Sequence, residues 1–308
     1  MALANTANNI TKSKQVKDSK KDKNSKTLRL LYPQWQGGDI AALVPELEAK
    51  DSSLGYALGE ELLDFLAPKD TSTKVARVPI SMEYKRESKK GILNYDEIFM
   101  QTKAALEILK TENPAKILTL GGECSVSVLP FTYLAHRYKG DVAIVWIDAH
   151  KDLNLPGDTY QGYHAMALAA TFGLVDKEGI ARLLPYHCNP KDSILVGVRD
   201  FEGKKERLSE IGVQYLSPQD SKNPTKLLEW LQSTGKSKVV VHFDLDVLDP
   251  SELVMAVGVV ENGLRIKEVV NLINAINANY ELVGLTIAEH LPRAATKLRN
   301  MMRELPLF

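Results

Sequence analysis

The stretch Val142-Ala143-Ile144-Val145-Trp146-Ile147-Asp148-Ala149-His150-Lys151-Asp152 constrains this chain more than any other. Its first six residues are apolar and rich in β-branched types, the pattern of a strand buried on both faces. Two aspartates and a histidine then come at alternating positions. Alternate side chains of extended backbone share a face, so Asp148, His150 and Asp152 can converge on one point. Two carboxylates and an imidazole on one point suit a divalent metal ion. The stretch Val239-Val240-Val241-His242-Phe243-Asp244-Leu245-Asp246 repeats the form, and Asp249-Pro250 closes the turn after it. Gathering these acids without a cation would be costly in repulsion and desolvation. A strand running into a solvated acidic turn is the plainer account of either stretch alone. Two such strand ends in one chain favour a site, since ligands bind outside the carboxyl ends of parallel strands.

Elsewhere apolar runs of strand length alternate with segments of helical period. Strands are expected over residues 28–32, 74–80, 117–120, 142–147, 193–198, 213–216, 238–243 and 282–287. Helices are expected over residues 55–66, 95–110, 125–138, 163–173, 204–211, 224–232, 266–278 and 295–305. That alternation predicts a three-layer, doubly wound α/β fold with a parallel sheet of about eight strands. The same alternation could instead close into a barrel. Residues 1–26 are mostly Lys, Ser, Asn, Thr and Asp, and are expected to form a disordered basic arm. Residues 27–308 are expected to form a single domain.

The 39 basic residues equal the 39 acidic ones, so the overall charge points to neither nucleic acid nor membrane. No apolar run is long enough for a transmembrane helix. Cys124 and Cys188 are the only cysteines, which argues for a reducing compartment and a cytoplasmic protein.

Asp148-Ala149-His150-Lys151-Asp152, the Asp244 to Pro250 segment, and Gly121-Gly122-Glu123-Cys124-Ser125 upstream resemble the three metal-binding signatures of the arginase–agmatinase family, the ureohydrolases. The signatures come in the family's order, within a resemblance that runs from about Thr27 to Leu307. It implies the open sheet rather than the barrel. It also implies a hydrolase that cleaves a C–N bond of a guanidino or amidino compound with a metal-activated hydroxide. By resemblance, Asp148 and Asp244 bridge two ions, His150 and Asp246 complete one site, and Cys124 and Asp152 complete the other. Asp152 also orients the hydroxide, His164 passes a proton to the leaving amine, and Glu289 pairs with the guanidinium. Asn154 matches a substrate-recognition position, and the stretch Gly197 to Glu202 resembles the family's second recognition segment, which implies that Glu202 accepts a substrate ammonium. The expected cofactor is a divalent metal, manganese first and zinc, cobalt or nickel as alternatives, at one or two ions per chain. Analogy to the family also implies a homo-oligomer.

The chain departs from the family at two places. The loop from Asn154 to Tyr163 lacks the Ser and Asn that arginases carry near the shuttle histidine, and has Tyr160, Gln161, Gly162 and Tyr163 instead. Arginine is therefore not the expected substrate. At the position of Cys124 family members usually carry histidine. A thiolate suits Zn²⁺ or Co²⁺ and suits Mn²⁺ poorly, and its side chain is much shorter than a histidine. A weak or empty first site is therefore expected beside an occupied second one. The rival reading is a metal-poor, catalytically weak or inactive relative serving as a structural or regulatory subunit. A mononuclear zinc amidohydrolase of the deacetylase kind ranks last, because its paired histidines are not visible.

Overall fold

Eight strands make one sheet in the computed structural model, which describes residues 26–306 except Thr71 and Glu202. They are β1 (Thr27–Tyr32), β2 (Lys74–Arg77), β3 (Lys116–Gly121), β4 (Val142–Ile147), β5 (Ser193–Val196), β6 (Gln214–Leu216), β7 (Lys238–Asp244) and β8 (Glu281–Ala288). Their spatial order is β2-β1-β3-β8-β7-β4-β5-β6, and every neighbouring pair is parallel. β2 and β6 are edges, so the sheet is open and the barrel alternative falls.

Burial explains the arrangement. All six residues of β4 are buried, because β4 lies between β7 and β5 and helices cover both faces. Ala143, Val145 and Ile147 pack with Val239 and Val241 against Leu227, Trp230, Leu272 and Ile276, which belong to the helices Thr225–Thr234 and Ile266–Asn279. Ile144, Trp146 and Val240 face the other way, against Phe131 and Leu134 of the helix Val128–Arg137 and Leu106 and Leu109 of the helix Tyr95–Glu112. Each such side chain contributes roughly 1.5–3 kcal/mol when fully buried. These two layers of helix and one of sheet are the three layers expected. A third apolar cluster, with Trp35, Ile40, Tyr56 and Leu291, packs beside the helix Ala49–Leu66.

Several boundaries differ from the sequence expectation. The strand expected to reach residue 80 ends at Arg77, two residues before Pro79, which has no N–H for a ladder. The helix expected from residue 55 begins at Ala49, where the hydroxyls of Ser52 and Ser53 donate back to Ala49 O. Two helices open with a tight 3₁₀ turn, Cys124–Ser127 before Val128–Arg137 and His164–Met166 before Ala167–Thr171. The Glu123 carboxylate caps the first of these, accepting from the N–H and Oγ of Ser125, each at 2.7 Å. The expected basic arm lies outside the described residues except for Lys26, whose Nζ pairs with Glu112 at 3.2 Å.

Candidate active site

The register sets the site. Trp146 pairs with His242 and Ile147 with Phe243, so Asp148 and Asp244 leave adjacent strands side by side at their carboxyl ends. Each carboxylate is held by the backbone that follows it. Asp148 Oδ1 accepts from His150 N at 2.6 Å, and Asp244 Oδ1 accepts from Asp246 N at 2.7 Å. Asp148 Oδ2 accepts from the indole Nε1 of Trp146 at 2.9 Å. Asp246 Oδ1 accepts from Ala149 N at 3.1 Å, which ties the two strand ends together. His150 Nδ1 lies 2.8 Å from Asp246 Oδ2, and the Arg199 guanidinium fixes the backbone by donating to Asp246 O at 2.9 Å.

One ligand atom each from Asp148, His150 and Asp246 falls within 4.8 Å of the others. A second such group is Cys124, Asp148, Asp152 and His242, and a third is Cys124, His164 and Glu289. The Cys124 thiol touches Asp244 Oδ2 at 3.0 Å and Glu289 Oε1 at 3.3 Å. Burial, followed by the surrounding carboxylates, pushes that thiol well above its ordinary range. Asp244 is also pushed well up, by burial and then by Asp246, Asp148 and Glu289. At His150 burial opposes charge, but Asp246 and Asp148 outweigh it and raise the imidazole. Carboxylates crowded and desolvated in this way fit a divalent cation, which would neutralise them and take their oxygens as donors. Burial lowers His242 to about 4, so its ring is neutral.

Asp152 and Glu289 both adopt left-handed backbone, with φ of 48° and 67°. Non-glycine residues held there carry strain that recurs at functional sites. Glu289 follows β8, and its N–H donates to Gly122 O at 2.7 Å. Its Oε1 accepts from Cys124 N at 3.1 Å and lies 3.1 Å from His164 Nδ1. Its Oε2 accepts from the hydroxyl of Tyr56, a fully buried residue of the helix Ala49–Leu66. His164 Nε2 faces the hydroxyl of Tyr160 at 2.5 Å.

A cavity of about 430 Å³ opens onto Cys124, His150, Asp152, His164, Asp244, Asp246 and Glu289. Ile40, Ala42, Leu43 and Val257 form its apolar wall, and among the described residues no lysine or arginine lines it. Gly258 lets the wall close: a Cβ there would lie 2.5 Å from His150 Cε1. Asp148 lies behind, fully buried. Asn154 is not brought to this cavity. It is buried, and its Oδ1 accepts from the buried Lys151 at 3.0 Å, so a position that resembles the family's serves a packed lysine. Glu202 lies outside the described residues. Sequence reasoning missed Tyr56 and assigned no role to His242. The signal for His242 was a histidine inside a run otherwise apolar on both faces.

The arginase family profile matches residues 71–302. Over 190 residues, 57% of this chain and 61% of the relative, the sequence is 30% identical to an arginase of Staphylococcus aureus. Over 188 residues, 60% of this chain and 64% of the relative, it is 30% identical to an N(omega)-hydroxy-L-arginine amidinohydrolase of Streptomyces lavendulae. The match therefore spans less than two thirds of the length of either curated relative. The fold is similar to that of Entamoeba histolytica arginase solved in complex with L-ornithine, with a TM-score of 0.73 at 18% identity, covering 87% of this chain and 92% of that one. No helix among the described residues is long and apolar enough to cross a membrane.

Proposed function

Because this chain belongs to the arginase family, we propose that it hydrolyses a C–N bond of a guanidino or amidino compound other than arginine. The observation that carries this reading is convergence: Cys124, His150, Asp152, Asp244 and Asp246 line one cavity with His164 and Glu289, and the buried Asp148 stands behind them. Two divalent ions, held by Asp148 and Asp244 together with His150 and Asp246 for one and with Cys124 and Asp152 for the other, would supply a water that is nucleophilic near neutral pH. Asp152 would orient that water. Glu289 would receive the guanidinium or amidinium, its carboxylate already aimed by Tyr56 and Cys124 N. His164, held between Glu289 and Tyr160, would deliver a proton to the leaving amine. The all nitrogen-and-oxygen site suits manganese.

The wall supports a substrate without a carboxylate. Among the described residues an anionic tail would meet acids and apolar groups and no lysine or arginine, whereas a neutral or cationic tail fits both. The test is a screen of metal-loaded protein for urea or ammonia release over guanidino and amidino compounds. Turnover of a carboxylate-free member is expected. Full metal occupancy without turnover of any member would leave the structural-subunit reading in its place.

A further inference from the structure

His242 lies on β7 one alternation before Asp244, on the same face of the sheet. It has no exposed surface. Its ring stacks on Trp146, with centroids 3.8 Å apart and planes 20° apart. Nδ1 is 2.8 Å from the Ser127 hydroxyl, and Ser127 belongs to the same 3₁₀ turn as Cys124. Nε2 is buried and has no hydrogen-bond partner among the described residues. One nitrogen of this ring lies within 4.8 Å of Cys124 Sγ and of an oxygen each from Asp148 and Asp152.

We propose that His242 is a direct metal ligand, and that with Cys124, Asp148 and Asp152 it forms a sulfur-, nitrogen- and oxygen-donor site selective for Zn²⁺ or Co²⁺ over Mn²⁺. The proposal deepens the metallohydrolase reading and rests on it. It replaces the weak first site that Cys124 alone led one to expect. The thiol at position 124 is shorter than an imidazole, and the His242 imidazole joins it in the same group from β7, two strands away from β3.

Three features favour a ligand over a packing residue. A buried nitrogen with no partner is costly unless something occupies it. A ligating histidine characteristically gives its other nitrogen to a hydrogen-bond partner that sets ring orientation, and Ser127 is that partner here. Trp146 sets two members of the group at once, its face against His242 and its Nε1 on Asp148. The donor set then decides the metal. Mixed thiolate and imidazole suit Zn²⁺ and Co²⁺, while Mn²⁺ favours carboxylate and water and stands lowest in the divalent affinity order.

The test loads the full-length apo-protein with Zn²⁺, Co²⁺ or Mn²⁺ against a chromophoric chelator, for wild type, Cys124→Ser and His242→Phe. Phenylalanine keeps a ring on Trp146 and removes both nitrogens. Wild type should hold two zinc ions, and its cobalt form should show a thiolate charge-transfer band. His242→Phe should weaken one ion by about 100-fold or more, beyond the roughly 10–100-fold cost of an outer-shell partner, and leave the other ion unchanged. Unchanged affinity for both ions in a folded His242→Phe protein would overturn the proposal. Zinc anomalous scattering from crystals of the wild type decides the matter without a variant: Nε2 should sit about 2.0–2.1 Å from an ion, and an ion beyond bonding distance refutes the assignment. Two bound ions without hydrolysis would defeat the enzymatic reading and leave this one standing.

Discussion

His150 Nδ1 lies 2.8 Å from Asp246 Oδ2, so two strands adjacent in space but distant in sequence deliver an imidazole and a carboxylate to one point. Asp148 stands within reach of both. The double variant Asp148→Asn with Asp246→Asn should therefore abolish metal uptake, including by the group that shares Asp148 with Cys124. Metal analysis after desalting measures it. Full stoichiometry in that variant would remove the basis for the site.

The contact between His164 and Tyr160 leads to a kinetic expectation. His164 is held through both ring nitrogens, by Glu289 at 3.1 Å and Tyr160 at 2.5 Å. Replacing a proton-transfer group costs about 10²–10⁴-fold in rate. His164→Asn should fall in that range in kcat, with little change in metal content. Tyr160→Phe should lower kcat less and shift the pH–rate profile, because only the orientation of the imidazole is lost. Equal kcat for His164→Asn and wild type on any substrate found would deny His164 its proposed role.

How far the sequence could be read depended on whether a feature repeats locally. The strands and the acids Asp148, Asp152, Asp244 and Asp246 were legible because a period of two after an apolar run is a local pattern. The 3₁₀ turns at Cys124 and His164 were not, since they arise where a strand end must hand its chain to a helix within a few residues. Tyr56 was hidden for a different reason. It looks like one more apolar position of an amphipathic helix, and only the tertiary fold brings its hydroxyl to Glu289, far along the chain. Asn154 matched a family position, yet no sequence pattern shows that the neighbouring Lys151 is buried and takes its amide oxygen.

The cavity wall sets an expectation for arginine. Among the described residues, five carboxylates and no lysine or arginine line the cavity. L-arginine should be turned over with kcat/KM below about 10⁴ M⁻¹s⁻¹, the low end of ordinary enzymes, and a carboxylate-free analogue should exceed it. Steady-state urea release over both compounds checks the order. A preference for arginine would show that a cationic group outside the present lining reaches the substrate.

Gly122 couples the fold to the site. Its Cβ would lie 1.9 Å from the carbonyl oxygen of Gln34, a backbone atom that cannot swing aside. Gly122 O in turn accepts the N–H of Glu289 at 2.7 Å. Gly122→Ala should cost at least the roughly 1–3 kcal/mol typical of overpacking, measured by urea unfolding. Because the displaced peptide leads into the Cys124 turn and accepts the N–H of Glu289, metal affinity should fall with stability. A variant as stable as wild type would mean that the Gln34 segment yields freely.

Glu60 supplies a pH dependence remote from the metal ligands. It is fully buried in the helix Ala49–Leu66, and Arg77 donates to its Oε2 at 2.8 Å. Burial outweighs the arginine and raises the carboxyl from 4.5 to about 7. The folded state thus holds this proton more tightly than the unfolded chain. The stabilisation from that protonation is complete below the unfolded value and is lost as pH rises through about 7. Glu60→Gln does not titrate. Between pH 5 and 8 the stability of wild type relative to Glu60→Gln should therefore drop by about 2–3 kcal/mol, read from urea unfolding of both proteins across that range. The direction matters more than the size. A gap that stays constant, or that moves in favour of wild type as pH rises, would mean that Arg77 keeps Glu60 ionised throughout.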